Sequence, residues 1–205
     1  MKEKFIEDYI KHSDDILKNI DRKEIVKVID ILFEAWKNNK YIFLFGNGGS
    51  ASTASHFCSD LFKTANVEGK KRFKAICLND NMSVISALTN DNGWENVYTE
   101  QLINLMNEGD VVIAISVHGG SGKDKSDQWS QNILRAIEYA NKKGKTIGFS
   151  GFNGGPIKEL AAACVVVPKN STPHVESFHL WLEHMIVFCL KKMIENYNEI
   201  NEVKT

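Results

Sequence analysis

An α/β fold with a parallel sheet between layers of helices is predicted by three observations. Five short apolar runs recur along the 205 residues, most are continuous rather than alternating, and helical periodicity separates them. A strand that is apolar at every position is buried on both faces, the condition of a parallel strand covered by helices on either side. The expected architecture is a three-layer αβα sandwich around a five-stranded, doubly wound parallel sheet, with long helices at both ends.

The elements follow in order. Residues 3–37 place apolar side chains at Phe5, Tyr9, Ile10, Ile16, Ile20, Ile25, Val28, Ile29 and Leu32, with a break near Asp21, which predicts two helices. The first strand is YIFLF at 41–45, followed by a helix over 50–63. The second is FKAICL at 73–78, the one run of mixed character, followed by helices over 82–88 and 94–106. VVIAI at 111–115 precedes a helix over 127–143, and TIGF at 146–149 precedes one over 155–163. CVVV at 164–167 is the last strand, and Pro173 after KNST marks the start of a closing helix over 174–197. The two terminal helical segments carry more apolar surface than one small sheet can cover, which points to subunit packing. The chain is expected to be a single domain over 1–205. Residues 1–38 would form a helical segment that packs in the oligomer, and 39–200 the αβα core.

Composition narrows the class. Lys and Arg number 25 against 26 Asp and Glu, so there is no excess positive field of the kind a dedicated nucleic-acid binder uses. Hydrophobic residues at 43% exclude a disordered chain. The most apolar long stretch, 178–190, contains His179, Glu183 and His184, which argues against a membrane span. The first residues, MKEKFIEDYIKHSDD, contain no apolar core of a secretory signal. Cys58, Cys77, Cys164 and Cys189 are widely spaced in mostly apolar surroundings, as reduced buried thiols are; the expected compartment is the cytoplasm.

In this fold ligands bind at the carboxyl ends of the strands, and two Gly/Ser loops stand there. Gly46-Asn47-Gly48-Gly49-Ser50 follows the first strand and opens a helix rich in hydroxyls, a place where backbone N–H groups receive an anion. The string also fits a dinucleotide fingerprint, but no acidic residue ends the next strand at the required spacing. Ser116-Val117-His118-Gly119-Gly120-Ser121-Gly122 follows the third strand; such loops hold phosphate through backbone nests and serines, or are simply flexible. His56 and Asp60, spaced i, i+4, share a helix face, as a metal or acid/base pair would, or an ordinary surface pair. The last helix carries Glu176, His179, Glu183 and His184. Glu176 and His184 lie about 80° apart around the axis at ~100° per residue. With His56 and Asp60 they would form a two-His, two-carboxylate set suited to zinc, or a buried ion-pair network at a subunit interface. Asp91, in the segment LTNDNGWE, is turn chemistry unless its loop reaches the same pocket.

Taken together, GNGGSASTASHFCSDL, ALTNDNGWENVY, EGDVVIAIS and VESFHLWLEHMI resemble the sugar isomerase (SIS) family, in its phosphoheptose isomerase branch, over about residues 5–195. The resemblance implies a flavodoxin-like five-stranded sheet and a homotetramer with active sites built from neighbouring subunits. It implies interconversion of sedoheptulose 7-phosphate and D-glycero-D-manno-heptose 7-phosphate through an enediol(ate), for surface heptose synthesis. It places catalytic roles on Asp60 and His184 and a zinc site on His56, Asp60, Glu176 and His184. Phosphate and sugar contacts fall on Asn47, Gly48, Gly49, Ser50, Asp91, Ser116, His118, Gly119, Ser121 and Glu176. The chain departs from the family in three places. Asp60 stands where the family has glutamate, and Glu176 where it has glutamine. The serine loop reads SVHGGS, followed by about nine extra residues, 123–131, whose Lys123 and Lys125 would replace lost phosphate contacts or simply be solvated. These departures leave two other readings: an isomerase of another sugar phosphate, and a non-catalytic member that binds a protein partner.

Overall fold

A computed structural model describes residues 1–120 and 130–198 of the chain. It begins with two helices, α1 (Lys2–Asn19) and α2 (Arg22–Lys37). The break between them falls at Asp21, whose carboxylate accepts from the backbone N–H of Lys23 at 2.8 Å and of Glu24 at 3.4 Å and so caps α2.

The sheet alternates with helices as β1 (Tyr41–Gly46), α3 (Gly49–Ser59), β2 (Lys74–Cys77), α4 (Met82–Asn92), α5 (Val97–Leu105), β3 (Val111–Ile115), α6 (Gln131–Ala140), β4 (Lys145–Gly151), α7 (Gly155–Leu160), β5 (Ala163–Val167) and α8 (Thr172–Asn196). The five strands run parallel in the order β2-β1-β3-β4-β5. This is the doubly wound, flavodoxin-like order, in which the connections change direction between β1 and β3.

Alternation along the central strands builds two cores. Ile42 and Leu44 of β1 and Val111, Ile113 and Ile115 of β3 face one layer, where Leu32 of α2, Phe57 of α3 and Leu182 and Ile186 of α8 meet them. Phe43, Phe45, Val112 and Ala114 face the other, against Tyr98 and Leu102 of α5, Ile133 and Ile137 of α6 and Ile157 of α7. Burying each large apolar side chain contributes about 1.5–3 kcal/mol, which is why the continuous runs become central strands.

Several boundaries differ from expectation. The segment expected as loop around Asp91 continues α4 to Asn92. The helix after β4 ends at Leu160 despite a run of alanines, because Ala163 pairs with Ile147 and strand pairing overrides helix propensity. The helix expected over 127–143 is seen from Gln131 to Ala140; residues 127–129 lie outside the described residues. The cysteines are free; burial pushes the Cys58 thiol up to about 11 and Cys77 to about 12, so both stay protonated. Among the described residues no helix is long and apolar enough to cross a membrane.

Candidate active site at the carboxyl edge of the sheet

Pairing of Gly46 with Ile115 brings the loops after β1 and β3 side by side, at the switch point where this fold forms its crevice. Between them lies a cavity of about 160 Å³, walled by Asn47, Ser50, Ser116, His118, Ser130 and Glu176 among others. Gly48 turns the chain with φ 56° into α3, and the next position is bare for a reason: a Cβ on Gly49 would collide with the Glu176 carboxylate. The second loop is equally constrained. Gly119 has φ 65°, its N–H donates to the Ser116 carbonyl at 3.0 Å, and a Cβ there would strike the Gly154 carbonyl. The Ser116 hydroxyl accepts from the Gly120 N–H at 3.3 Å, and the His118 ring lies 4.3 Å from that of Phe152. Ser121, Lys123 and Lys125 lie outside the described residues.

Asn47 points its amide to a network rather than leaving it open. It exchanges hydrogen bonds with the Asn132 amide at 3.0 and 2.9 Å, and its oxygen also accepts from the Tyr98 hydroxyl at 3.0 Å. Asn79, after β2, donates to the Gly46 carbonyl at 2.9 Å and to the Tyr98 oxygen at 2.8 Å. This buried polar network fixes the first loop across β2, β1 and α6. Asn47 was singled out from its glycine loop; Asn79, Tyr98 and Asn132 were not, because each is an ordinary polar residue far along the chain from the others.

A second group sits where α3 packs on α8. Helix α3 passes into a π-helical turn over Asp60–Thr64, closed by Ala65 N–H donating to the Asp60 carbonyl at 2.9 Å. Such turns widen the helix locally and are frequent at functional sites. The Thr64 hydroxyl donates to Asp60 Oδ1 at 2.8 Å, which leaves Oδ2 facing the imidazoles. His56 Nε2 lies 3.9 Å from Asp60 Oδ2 and 3.7 Å from Glu183 Oε1; His184 Nε2 lies 3.7 Å and 3.8 Å from the same two oxygens. The two rings stand edge to face, 4.9 Å apart. These separations are too long for direct hydrogen bonds, so the four groups converge without satisfying one another.

Glu183 is the sharpest feature. It is 0% exposed, and both carboxylate oxygens lack a hydrogen-bond partner among the described residues. Burial, with the charge of Asp60 added, pushes its carboxyl up to about 8. One donor atom from each of His56, Asp60, Glu183 and His184 lies within 4.8 Å of the other three. Two imidazoles and two carboxylates are the donors zinc or a similar divalent ion takes, and the orphaned oxygens of Glu183 are what a cation there would partner.

Glu176 is not in this group. The ~80° that separates it from His184 around the axis puts both on one broad face, but eight residues at ~1.5 Å of rise hold them about 12 Å apart along the axis. Glu176 therefore belongs to the cavity by Gly49, and Glu183, two turns farther on, takes its place beside the histidines. The sequence signal for Glu183 was its position next to His184 in an otherwise apolar stretch. Asp91 is exposed in the last turn of α4 and lines neither the cavity nor the cluster.

The profile described as "SIS domain" matches residues 8–151, and the chain belongs to this family. A relative from a Nitratiruptor species, named phosphoheptose isomerase, is 41% identical over 157 residues, covering 76% of this chain and 79% of that one. Another protein of that name, from Aliarcobacter butzleri, is 34% identical over 189 residues, covering 91% and 95%. The fold is that of a solved phosphoheptose isomerase from Neisseria gonorrhoeae, with a TM-score of 0.81 at 23% identity, covering 94% of this chain and 100% of that one.

Proposed function

We propose that this protein is a ketose–aldose isomerase of a phosphorylated sugar, interconverting sedoheptulose 7-phosphate and D-glycero-D-manno-heptose 7-phosphate. The observation that carries the reading is the convergence of Asp60 and His184 with a second histidine and carboxylate, on the same α3–α8 seam whose upper end walls a serine- and glycine-lined cavity. The name borne by its relatives supports the same activity.

Asp60 is the base. Thr64 holds its Oδ1, so Oδ2 is the oxygen offered to a C1 proton. As that proton leaves, its electron pair forms the C1=C2 bond and the C2 carbonyl oxygen takes a proton from His184, giving the enediol. His184 then removes the O1 proton, and Asp60 returns its proton to C2. The reaction consumes no oxidant or co-reactant. Ser50, Ser116, Gly119, Ser121 and the first-turn N–H groups of α3 receive the phosphate and sugar oxygens, with Glu176 as acceptor for a sugar hydroxyl. Asn47 positions the first loop. A zinc ion would be held by the two histidines of the cluster, His56 and His184, with a carboxylate beside them, and would polarise the substrate carbonyl. We further propose that the protein is a cytoplasmic homotetramer, with residues 1–38 of the one domain packing between subunits.

The test is isomerisation of sedoheptulose 7-phosphate by metal-stripped protein, with and without Zn²⁺. Turnover that needs metal supports the isomerase reading with His184 as a ligand; turnover without metal supports the acid/base role of His184. No turnover by folded protein in either case overturns it.

A further inference from the structure

We infer that Glu183, rather than Glu176 or Asp60, is the carboxylate ligand of a divalent ion, completing with His56 and His184 a three-ligand site inside a single chain. The inference rests on the divalent-ion part of the function proposed above. The family resemblance does not include Glu183; the assignment comes from the geometry of this chain.

Three observations carry it. Glu183 is wholly buried and neither of its oxygens has a hydrogen-bond partner among the described residues, so the only groups its carboxylate faces at ion-pair distance are the two imidazoles. A leucine or methionine would fill the same space without a desolvation cost. Its Oε1 stands 3.7 Å from His56 Nε2 and 3.8 Å from His184 Nε2, one helix supplying each histidine. The other two carboxylates are already accounted for. Glu176 lies about 12 Å up the helix at ~1.5 Å of rise per residue, and Asp60 Oδ2, which Thr64 leaves free toward the imidazoles, is the oxygen that the proposed reaction uses for the C1 proton.

Three protein ligands with one position open is the pattern of a catalytic zinc site. The assignment also relieves a conflict, because Asp60 cannot both bind the ion through Oδ2 and take the C1 proton with it. With Glu183 on the ion, Asp60 keeps that oxygen for the proton. His184 transfers protons in the metal-free enzyme and ligates in the loaded one.

The test reads metal binding, not turnover, on the full chain stripped of metal. Zn²⁺ affinity is measured by competition with a chromophoric chelator, and Co²⁺ loading by visible absorption. Wild type is expected to bind one Zn²⁺ per chain. Glu183→Gln is expected to lose at least roughly 100-fold in affinity, Glu183→Asp an intermediate amount with an altered Co²⁺ spectrum, and Glu176→Gln less than about threefold. Metal-free Glu183→Gln should melt close to wild type, since glutamine keeps the volume and neither Glu183 oxygen makes a hydrogen bond that would be lost; if it fails to fold, Glu183→Asp decides. Unchanged affinity in the Glu183 variants, loss of affinity in Glu176→Gln, or no Zn²⁺ binding by wild type overturns the inference. Zinc bound as expected without turnover of sedoheptulose 7-phosphate leaves it standing and removes the isomerase reading instead.

Discussion

Asp60 replaces the glutamate that the family resemblance places at the base, and it is shorter by one C–C bond of ~1.5 Å. A base displaced by about 1 Å loses roughly 10²-fold unless the scaffold moves it back. A π-helical turn begins at Asp60, and Thr64 within that turn holds Oδ1, so the local backbone and one hydroxyl orient the shorter carboxylate. Asp60→Asn is expected to lower kcat at least 10³-fold, within the ~10²–10⁴ range for loss of a general base, while Tm stays within about 2 °C. Retained turnover would assign the base elsewhere. Thr64→Val removes the hydroxyl that fixes Oδ1 and should cost about tenfold in kcat with little change in KM, because it misplaces the base and leaves the cavity alone.

At the scale of elements, α8 is tied to β4 by a buried histidine. His179 Nε2–H donates to the Ser150 carbonyl at 3.0 Å, Nδ1 has no partner among the described residues, and burial pushes the ring down to about 4 from its ordinary 6.5. Between those values the unfolded chain binds a proton that the folded chain refuses. Stability from this group is therefore complete above about pH 6.5 and falls as pH drops toward 4, by roughly 3 kcal/mol at 1.36 kcal/mol per pKa unit. His179→Gln keeps a donor and loses the titration, so its Tm should fall less steeply than wild type between about pH 6.5 and 4.5. An equal slope in a thermal melt series would show that other groups set the acid limit. The loop after β3 docks on the loop after β4 through Gly119, whose positive φ and contact with Gly154 leave no room for a side chain. Gly119→Ala should destabilise by about 2 kcal/mol or more, roughly 4–8 °C for a chain of this size, and raise KM. An unchanged melting point would mean that the two loops separate at little cost.

For the whole molecule the unbalanced feature is apolar surface. Phe5 is 69% and Ile10 57% exposed on α1, and Trp181 is 45% exposed on α8. Patches of this kind on a charged, otherwise ordinary surface mark association. Sedimentation should give a mass of about four times 23.1 kDa, and a Phe5→Glu, Ile10→Glu double variant should shift it to smaller species. A wild-type monomer would remove the tetramer from the proposed function and leave the α3–α8 seam within one chain as the whole site.

The layered α/β fold, the five strands and the two Gly/Ser loops at their ends were legible before any coordinates. They depend on local pattern: continuous apolar runs bury both faces, and glycines open the helix starts. His56, Asp60 and His184 were legible for the same reason, since i, i+4 spacing and polar groups in an apolar helix stand out along a single segment. Which carboxylate joins them was settled by packing. Angular spacing around α8 favours Glu176, but rise along the axis separates it from His184, and the docking of α3 beside α8 selects Glu183 instead. The Asn47–Asn132–Tyr98–Asn79 network and the π-helical turn at Asp60 also came only with the folded chain, because each depends on contacts between segments that no local pattern connects.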